Sequence, residues 1–221
     1  MPPRSQLQPA PPKAAQPKTQ ASSAQRPQAR PGALTLLQEF RRRWQDCTAC
    51  DLSGCRSKMV LMRGTVPCDV LFVGEAPGKS EDVLGIPFVG PAGKLLDEMV
   101  ARALPATRTS AYTNLVCCLP LDERGDKTEE PPDEAIEACS LRLIEFVELA
   151  NPKLICCVGK LAFDWLEPGY KHSIQLTKHV PLVRIEHPAS ILRQSYAQRD
   201  LSVQRAVVTL ANAVEEIFSP S

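Results

Sequence analysis

Residues 69–97, DVLFVGEAPGKSEDVLGIPFVGPAGKLLD, constrain this chain more than any other stretch. Val70, Leu71, Phe72 and Val73 form an apolar run that predicts a buried strand. Gly74-Glu75-Ala76-Pro77-Gly78 breaks it, because glycine is conformationally loose and proline offers no N–H to a ladder. A second acidic pair, Glu81 and Asp82, follows, then Gly85, Pro87, Phe88, Gly90 and Gly93. Leu95, Leu96, Met99 and Val100 then mark an amphipathic helix. An ordinary connection from a parallel strand to its helix runs roughly two to six residues. This one is far longer and carries carboxylates and an aromatic ring. Open α/β sheets place ligand sites at such strand ends.

The rest of the chain repeats the alternation. A helix is expected over 33–44, where Ala33, Leu37, Phe40 and Trp44 share a face and Arg41, Arg42 and Arg43 lie mostly off it. Val60 and Leu61 suggest a short edge strand. Further strands are expected over 111–118, 153–159 and 181–187, and helices over 133–150, after Gly159, after Pro188 and over about 199–218. Strands alternating with helices imply an α/β fold: a three-layer α/β/α sandwich around a central, mostly parallel sheet of four strands. No internal repeat or second domain is visible.

Charge divides the chain of 221 residues in two. Residues 1–32 hold Arg4, Lys13, Lys18, Arg26 and Arg30 and no acid, so they carry +5, while 33–221 carry −4. This Pro-, Gln- and Ala-rich stretch lacks the apolar residues needed to offset its ordering entropy and is expected to be a disordered tail. Residues 33–218 are the expected folded domain. The tail has no apolar core of a secretory signal, and no run of 18 apolar residues would span a membrane. Nine cysteines without an export signal point to a reducing, cytoplasmic setting, where cysteine clusters mean metal or catalysis.

Cys47-Thr-Ala-Cys50 is a chelating pair on a turn. Cys118 ends an expected strand and Cys139 lies on the next helix, so all four can meet at one sheet edge. Four thiolates suit either an iron–sulfur cluster or tetrahedral zinc. Cys68, Cys117, Cys156 and Cys157 read as core packing. Cys55 lies close enough to Cys50 to compete as a ligand.

GEAPGKSEDVLGIPFVGPAGKLLDEM, YTNLVCCLP, the later Cys139, CVGKLA and HPASILR occur in this order behind Cys47 and Cys50. Together they resemble the family 4, iron–sulfur uracil-DNA glycosylases, over about residues 34–217. The resemblance implies a [4Fe–4S] cluster on Cys47, Cys50, Cys118 and Cys139. It implies that a flipped-out uracil stacks on Phe88 and is read by Asn114, with His187 against a uracil carbonyl oxygen. Glu75 and Glu81 would position and polarise the attacking water. Ala76 fills the slot where other branches of the superfamily place a catalytic aspartate. Ser190 and Arg193, with the backbone N–H groups after Pro188, would hold a DNA phosphate.

The implied activity is hydrolysis of uracil from DNA by a monomer, leaving an abasic site. No lyase step is expected, since no lysine sits in a Schiff-base motif. The tail would dock on DNA or on a repair or replication partner. Leu119 stands where the family commonly has arginine, and Asp122-Glu123 where Gly-Asn is common. Added acid near a polyanion weakens binding. Three other readings remain: a glycosylase for another deaminated base, a non-catalytic iron–sulfur DNA-binding module, and a nucleotide-binding fold. The last is opposed by Gly74-x3-Gly78, which is not the dinucleotide pattern, and by carboxylates that repel phosphate.

Overall fold

The computed structural model describes residues 31–122, 124–125, 128–169 and 172–219, with side chains from Thr35 onward. The expected tail lies outside these residues except for its last two, which open helix α1 (Pro31–Trp44). A single 3-10 turn, Asp51–Gly54, follows. The sheet contains β1 (Arg63–Gly64), β2 (Val70–Gly74), β3 (Ser110–Asn114), β4 (Leu154–Val158) and β5 (Leu182–Ile185) in the order β1-β3-β2-β4-β5. The four longer strands are parallel, and β1 pairs antiparallel with β3. The helices are α2 (Lys79–Leu84), α3 (Pro91–Ala103), α4 (Asp133–Ala150), α5 (Lys160–Leu166), α6 (Pro188–Leu192) and α7 (Tyr196–Phe218).

The predicted sandwich is present, with a fifth strand. The edge strand is Arg63–Gly64 rather than Val60 and Leu61, although Val60 N–H still donates to Cys117 O at 3.0 Å. Gly64 has φ +99, and a Cβ there would lie 2.4 Å from Ser110 O, so this edge crosses β3 too closely for a side chain.

Strand alternation sorts the core into two layers, because successive side chains point to opposite faces. Leu71, Val73, Ile155 and Cys157 meet α1, α4 and α5, with Phe40 and Phe146 ring centroids 5.4 Å apart. Val70, Phe72, Leu154, Cys156 and Val158 meet α3, α6 and α7. Cys68, Cys156 and Cys157 are buried core residues as expected. Arg41, Arg42 and Arg43 are exposed, and Trp44 Nε1–H bonds Glu145 at 2.7 Å to tie α1 to α4.

Two elements depart from the sequence reading. β3 ends at Asn114, so Cys117 and Cys118 lie in the bend beyond the strand rather than within it. The long loop after β2 also contains a helix, α2, started at Gly78 and closed by Gly85 at φ 74. Asp82 on this helix is 3% exposed, and its carboxylate accepts from Ser57 N–H at 2.8 Å. It is therefore not a solvated turn residue.

Candidate active site

The sheet order reverses beside β2, so the connections from β2 and β3 leave in opposite directions. The crevice opened at such a switch point collects residues from several strand ends. Here it is a cavity of about 920 Å3. Glu75 follows β2, Asn114 ends β3, Gly159 follows β4 and His187 follows β5, and all four line it. Ala76, Glu81, Phe88, Ser190 and Arg193 line it too. Every non-cysteine residue singled out as a site candidate in the sequence reaches this one space.

Phe88 is held in an unusual way. Its φ is 56, a left-handed conformation that costs a non-glycine residue on the order of 1–3 kcal/mol and persists only when its surroundings over-determine it. Glu81 Oε1 accepts from Val89 N–H at 3.0 Å and Gly90 N–H at 2.7 Å, fixing the chain just past Phe88. Gly93 lets α3 approach, since a Cβ there would fall 2.0 Å from Phe88 O. Glu81 thus has a clear structural task, holding the aromatic platform. The Phe88 ring lies 6.0 Å from Tyr112, which stacks on Phe72 at 4.9 Å, so the platform continues an aromatic row from the core.

Asn114 is 3% exposed and faces Phe88 across Gly74. A Cβ on Gly74 would lie 2.5 Å from Asn114 Oδ1 and 2.6 Å from Phe88 Cζ. The amide and the ring therefore meet over a residue with no side chain. Gly159 plays the same part on the other side. Its φ is +106, and a Cβ there would lie 2.5 Å from Glu75 Oε1 and 3.3 Å from His187 Cδ2.

His187 caps α6: its Nδ1 accepts from Ala189 N–H at 3.1 Å. That bond leaves the proton of the neutral ring on Nε2. Burial, then the charge of Arg193, lowers its pKa from 6.5 to about 4, so the ring is a neutral donor at physiological pH. Burial pushes the Glu75 carboxyl above its ordinary 4.5, Glu130 pushes the same way, and Arg193 opposes both. The backbone N–H groups after Pro188 are already taken up. Ala189 N–H bonds His187 Nδ1, and Ser190 and Ile191 N–H bond His187 O at 2.9 and 3.2 Å. α6 has only five residues, so any phosphate contact there falls to the side chains of Ser190 and Arg193.

No cysteine lines the cavity, and Cys47, Cys50, Cys118 and Cys139 form a group of their own. Cys50 is close enough to Cys47 and Cys139 for their charges to raise its pKa, after the larger effect of burial. Cys118 is likewise raised by burial, with Cys139 and Cys50 adding to it. The Cys139 thiol shifts the other way. A hydrogen bond with Cys117 and the charge of Arg142 draw it down to about 5, while burial keeps Cys117 protonated. Arg56 Nη1–H points to Cys118 Sγ at 3.3 Å, and Arg142 Nη2–H to Cys139 Sγ at 3.4 Å. Cys55 is exposed. Among the described residues no three His, Cys, Asp or Glu side chains converge on the position of a single metal ion.

Sequence reasoning missed three contributors. Thr128, Glu129, Glu130 and Pro131 form a wall of the cavity, and their remoteness from any motif hid them. Gly159 looked like a helix start. Arg142 sits on the buried side of α4 beside Ile136, Leu143 and Phe146, where a charged side chain carries no sequence signal. Of the two acids that depart from the family pattern, Glu123 lies outside the described residues.

The family model for the Uracil DNA glycosylase superfamily matches residues 63–211. The Type-4 uracil-DNA glycosylase of Archaeoglobus fulgidus is 33% identical over 174 residues, covering 72% of this chain and 84% of that protein. That of Thermotoga maritima is 34% identical over 167 residues, with the same coverage of 72% and 84%. The solved structure of WT Pedobacter heparinus SMUG2 covers 67% of this chain and 76% of its own, with a TM-score of 0.45 at 15% identity, too slight a likeness to add weight. On its own sequence and the relatives it matches, this chain belongs to the uracil-DNA glycosylase superfamily and, within it, to the type-4 uracil-DNA glycosylases.

Proposed function

We propose that the protein hydrolyses the N-glycosidic bond of uracil in DNA, giving free uracil and an abasic site. The observation that carries this reading is the convergence of Phe88, Asn114, His187 and Glu75 on one cavity. A base inside a duplex cannot reach such a space, so it must leave the stack. Phe88 then recovers roughly 1–3 kcal/mol of stacking. The Asn114 amide pairs with the polar edge of the ring.

As the C1′–N1 bond breaks, its electron pair moves onto the departing uracil and positive charge builds on the sugar. His187 Nε2–H donates to the uracil carbonyl oxygen where that negative charge collects. The Glu75 carboxylate faces the sugar cation and takes a proton from the water whose oxygen forms the new bond to C1′. Both interactions are stronger in the transition state than in the ground state, which is the condition for acceleration. Glu81 contributes by holding Phe88 and, with Oε1 so occupied, bears on the water only through its other oxygen.

The protonation states supply a prediction. Glu75 must be ionised, and its raised pKa brings protonation at a higher pH than for an ordinary glutamate. The rate of uracil release is therefore expected to fall on acidification through a single limb above pH 4.5, with no limb near 6.5 because His187 titrates at about 4. Glu75→Gln removes that limb along with most of the rate. It also raises Tm at neutral pH, because burial disfavours the ionised carboxylate in the folded state. A stability loss from His187 appears only as pH falls from 6.5 through about 4, where the unfolded state gains a proton first. pH–rate profiles and thermal melts of both proteins check this.

The cysteine group fits a [4Fe–4S] cluster on Cys47, Cys50, Cys118 and Cys139. Two arginine N–H groups already face its sulfurs, and Arg142 Nε is buried without an acceptor. One zinc ion draws all four sulfurs to about 2.3 Å. The same four thiolates also suit an iron–sulfur cluster, and the choice of iron over zinc rests on the type-4 relatives this chain resembles. When bound, the cluster cross-links the turn after α1, the bend after β3 and α4. Anaerobically purified protein is expected to be brown, absorbing near ~400 nm as cysteine-held clusters do, with iron in place of zinc by elemental analysis. A colourless zinc protein contradicts this assignment.

Residues 1–32, with a charge of +5, suit docking on a polyanion or on a repair partner that presents acid. Among the described residues no helix is long and apolar enough to cross a membrane. The deciding experiment presents oligonucleotides that each carry one uracil, hypoxanthine, xanthine or normal base. Release of uracil above all others supports the reading. Preferential release of a deaminated purine, or binding with no base released, replaces it with the corresponding rival.

A further inference from the structure

We infer that Arg142 is a positioning residue for base recognition, gripping the end of β3 from behind so that the Asn114 amide is fixed in the cavity. This rests on the uracil reading above and extends it to a residue outside the pocket.

Arg142 is 1% exposed, the largest fully buried side chain of the described residues. Its Nη1–H donates to Thr113 Oγ1 at 2.9 Å, and Thr113 Oγ1–H donates in turn to Leu61 O at 2.8 Å. Its Nη2–H groups reach Asn114 O at 2.8 Å and Leu115 O at 2.6 Å. One guanidinium thus holds three consecutive residues. They lie where the ladder stops, since the last pairing of β2 with β3 is Gly74 with Asn114. Past Asn114 only Leu115 N–H to Gly74 O at 2.8 Å and Val116 N–H to Glu75 O at 3.2 Å continue the contact with β2, and Arg142 adds its donors to the same segment.

The geometry separates Arg142 from the substrate. It comes from α4, on the face of the sheet that holds Leu71 and Val73, whereas Asn114 presents its amide to Phe88 on the opposite face. Arg142 is not a cavity-lining residue. It acts on the base only through the Asn114 backbone.

Arg142 Nη2–H also points to the sulfur of Cys139, 3.4 Å away and one helical turn earlier. The same side chain therefore joins the cysteine group to the base-reading strand end. Arginine suits this task because its planar fork offers five donors in fixed directions, where lysine offers one mobile ammonium.

The test separates reading the base from binding the DNA. Affinities for free uracil and for an oligonucleotide with an abasic site are measured on wild type, Arg142→Met and Arg142→Lys. Wild type is expected to bind both. Arg142→Met is expected to lose at least tenfold in uracil affinity and to keep abasic-DNA affinity within twofold, because the abasic ligand has no base for Asn114 to read. Arg142→Lys, which keeps the charge and loses the fork, should show the same split with a smaller loss, and it carries the test alone if the methionine variant does not fold. Wild-type uracil affinity in a folded variant overturns the inference, as does a parallel loss for both ligands, which marks a merely structural residue. Failure of wild type itself to bind uracil would overturn the functional reading, and this inference with it.

Discussion

His187→Ala is expected to lower the rate of uracil release about a hundred- to a thousandfold, the scale seen when one preorganised donor to a developing anion is removed. The imidazole is well placed for this. Its Nδ1 is occupied by Ala189 N–H, and its pKa of about 4 keeps the ring neutral, so Nε2 presents a fixed N–H with no counter-ion to displace. The alanine variant also loses the cap of α6, at a cost of about 1 kcal/mol in stability. His187→Asn separates the two effects. Asparagine is a good cap residue but is too short to reach the base. Its melting temperature should stay near wild type while its rate falls as far as that of alanine. A wild-type rate in either variant removes His187 from the chemistry.

Gly74→Ala is expected to cost at least about a hundredfold in the same assay, the usual scale for displacing reactive groups by an ångström. The added methyl would lie 2.5 Å from Asn114 Oδ1 and 2.6 Å from Phe88 Cζ. Each side chain can yield only by shifting within the cavity that both line, which moves the ring and the amide off the positions they hold for a base. The methyl meets side-chain ends rather than backbone, so the sheet survives while the pocket does not. Gly54→Ala, which opens onto empty space, is the control and should change nothing. Equal rates for Gly74→Ala and wild type would mean that the ring and the amide do not act together on one base.

The sandwich was legible because the central strands β2 and β4 are continuous apolar runs, as buried parallel strands must be, and strands alternate with helices along the chain. Helix α4 was legible to the residue, since Pro132 and Asp133 punctuate its start. Helix α2 was not, although Gly78, the acids of its first turn and Gly85 are ordinary helix signals. The surrounding glycines and prolines read as one loop and masked a six-residue helix within it. β3 was drawn four residues too long. Leu115, Val116 and Cys117 are apolar and β-compatible, but their chain bends away around Arg142, a tertiary contact that periodicity does not encode.

The candidate site was legible through resemblance, and the structure adds the reasons its residues sit where they do. Glu81 holds the Phe88 turn, Gly74 and Gly159 clear space for their neighbours, and Arg142 grips the strand end. None of these tasks is visible in one dimension, since each depends on a partner distant in sequence or on missing side-chain volume.

A structure of the protein with free uracil and an abasic-site oligonucleotide tests the central claim most directly. The pyrimidine ring is expected to lie flat on Phe88, with its polar edge on the Asn114 amide and a carbonyl oxygen within hydrogen-bonding distance of His187 Nε2. Uracil bound outside this cavity, or seated in it without touching Asn114 and His187, would contradict the account.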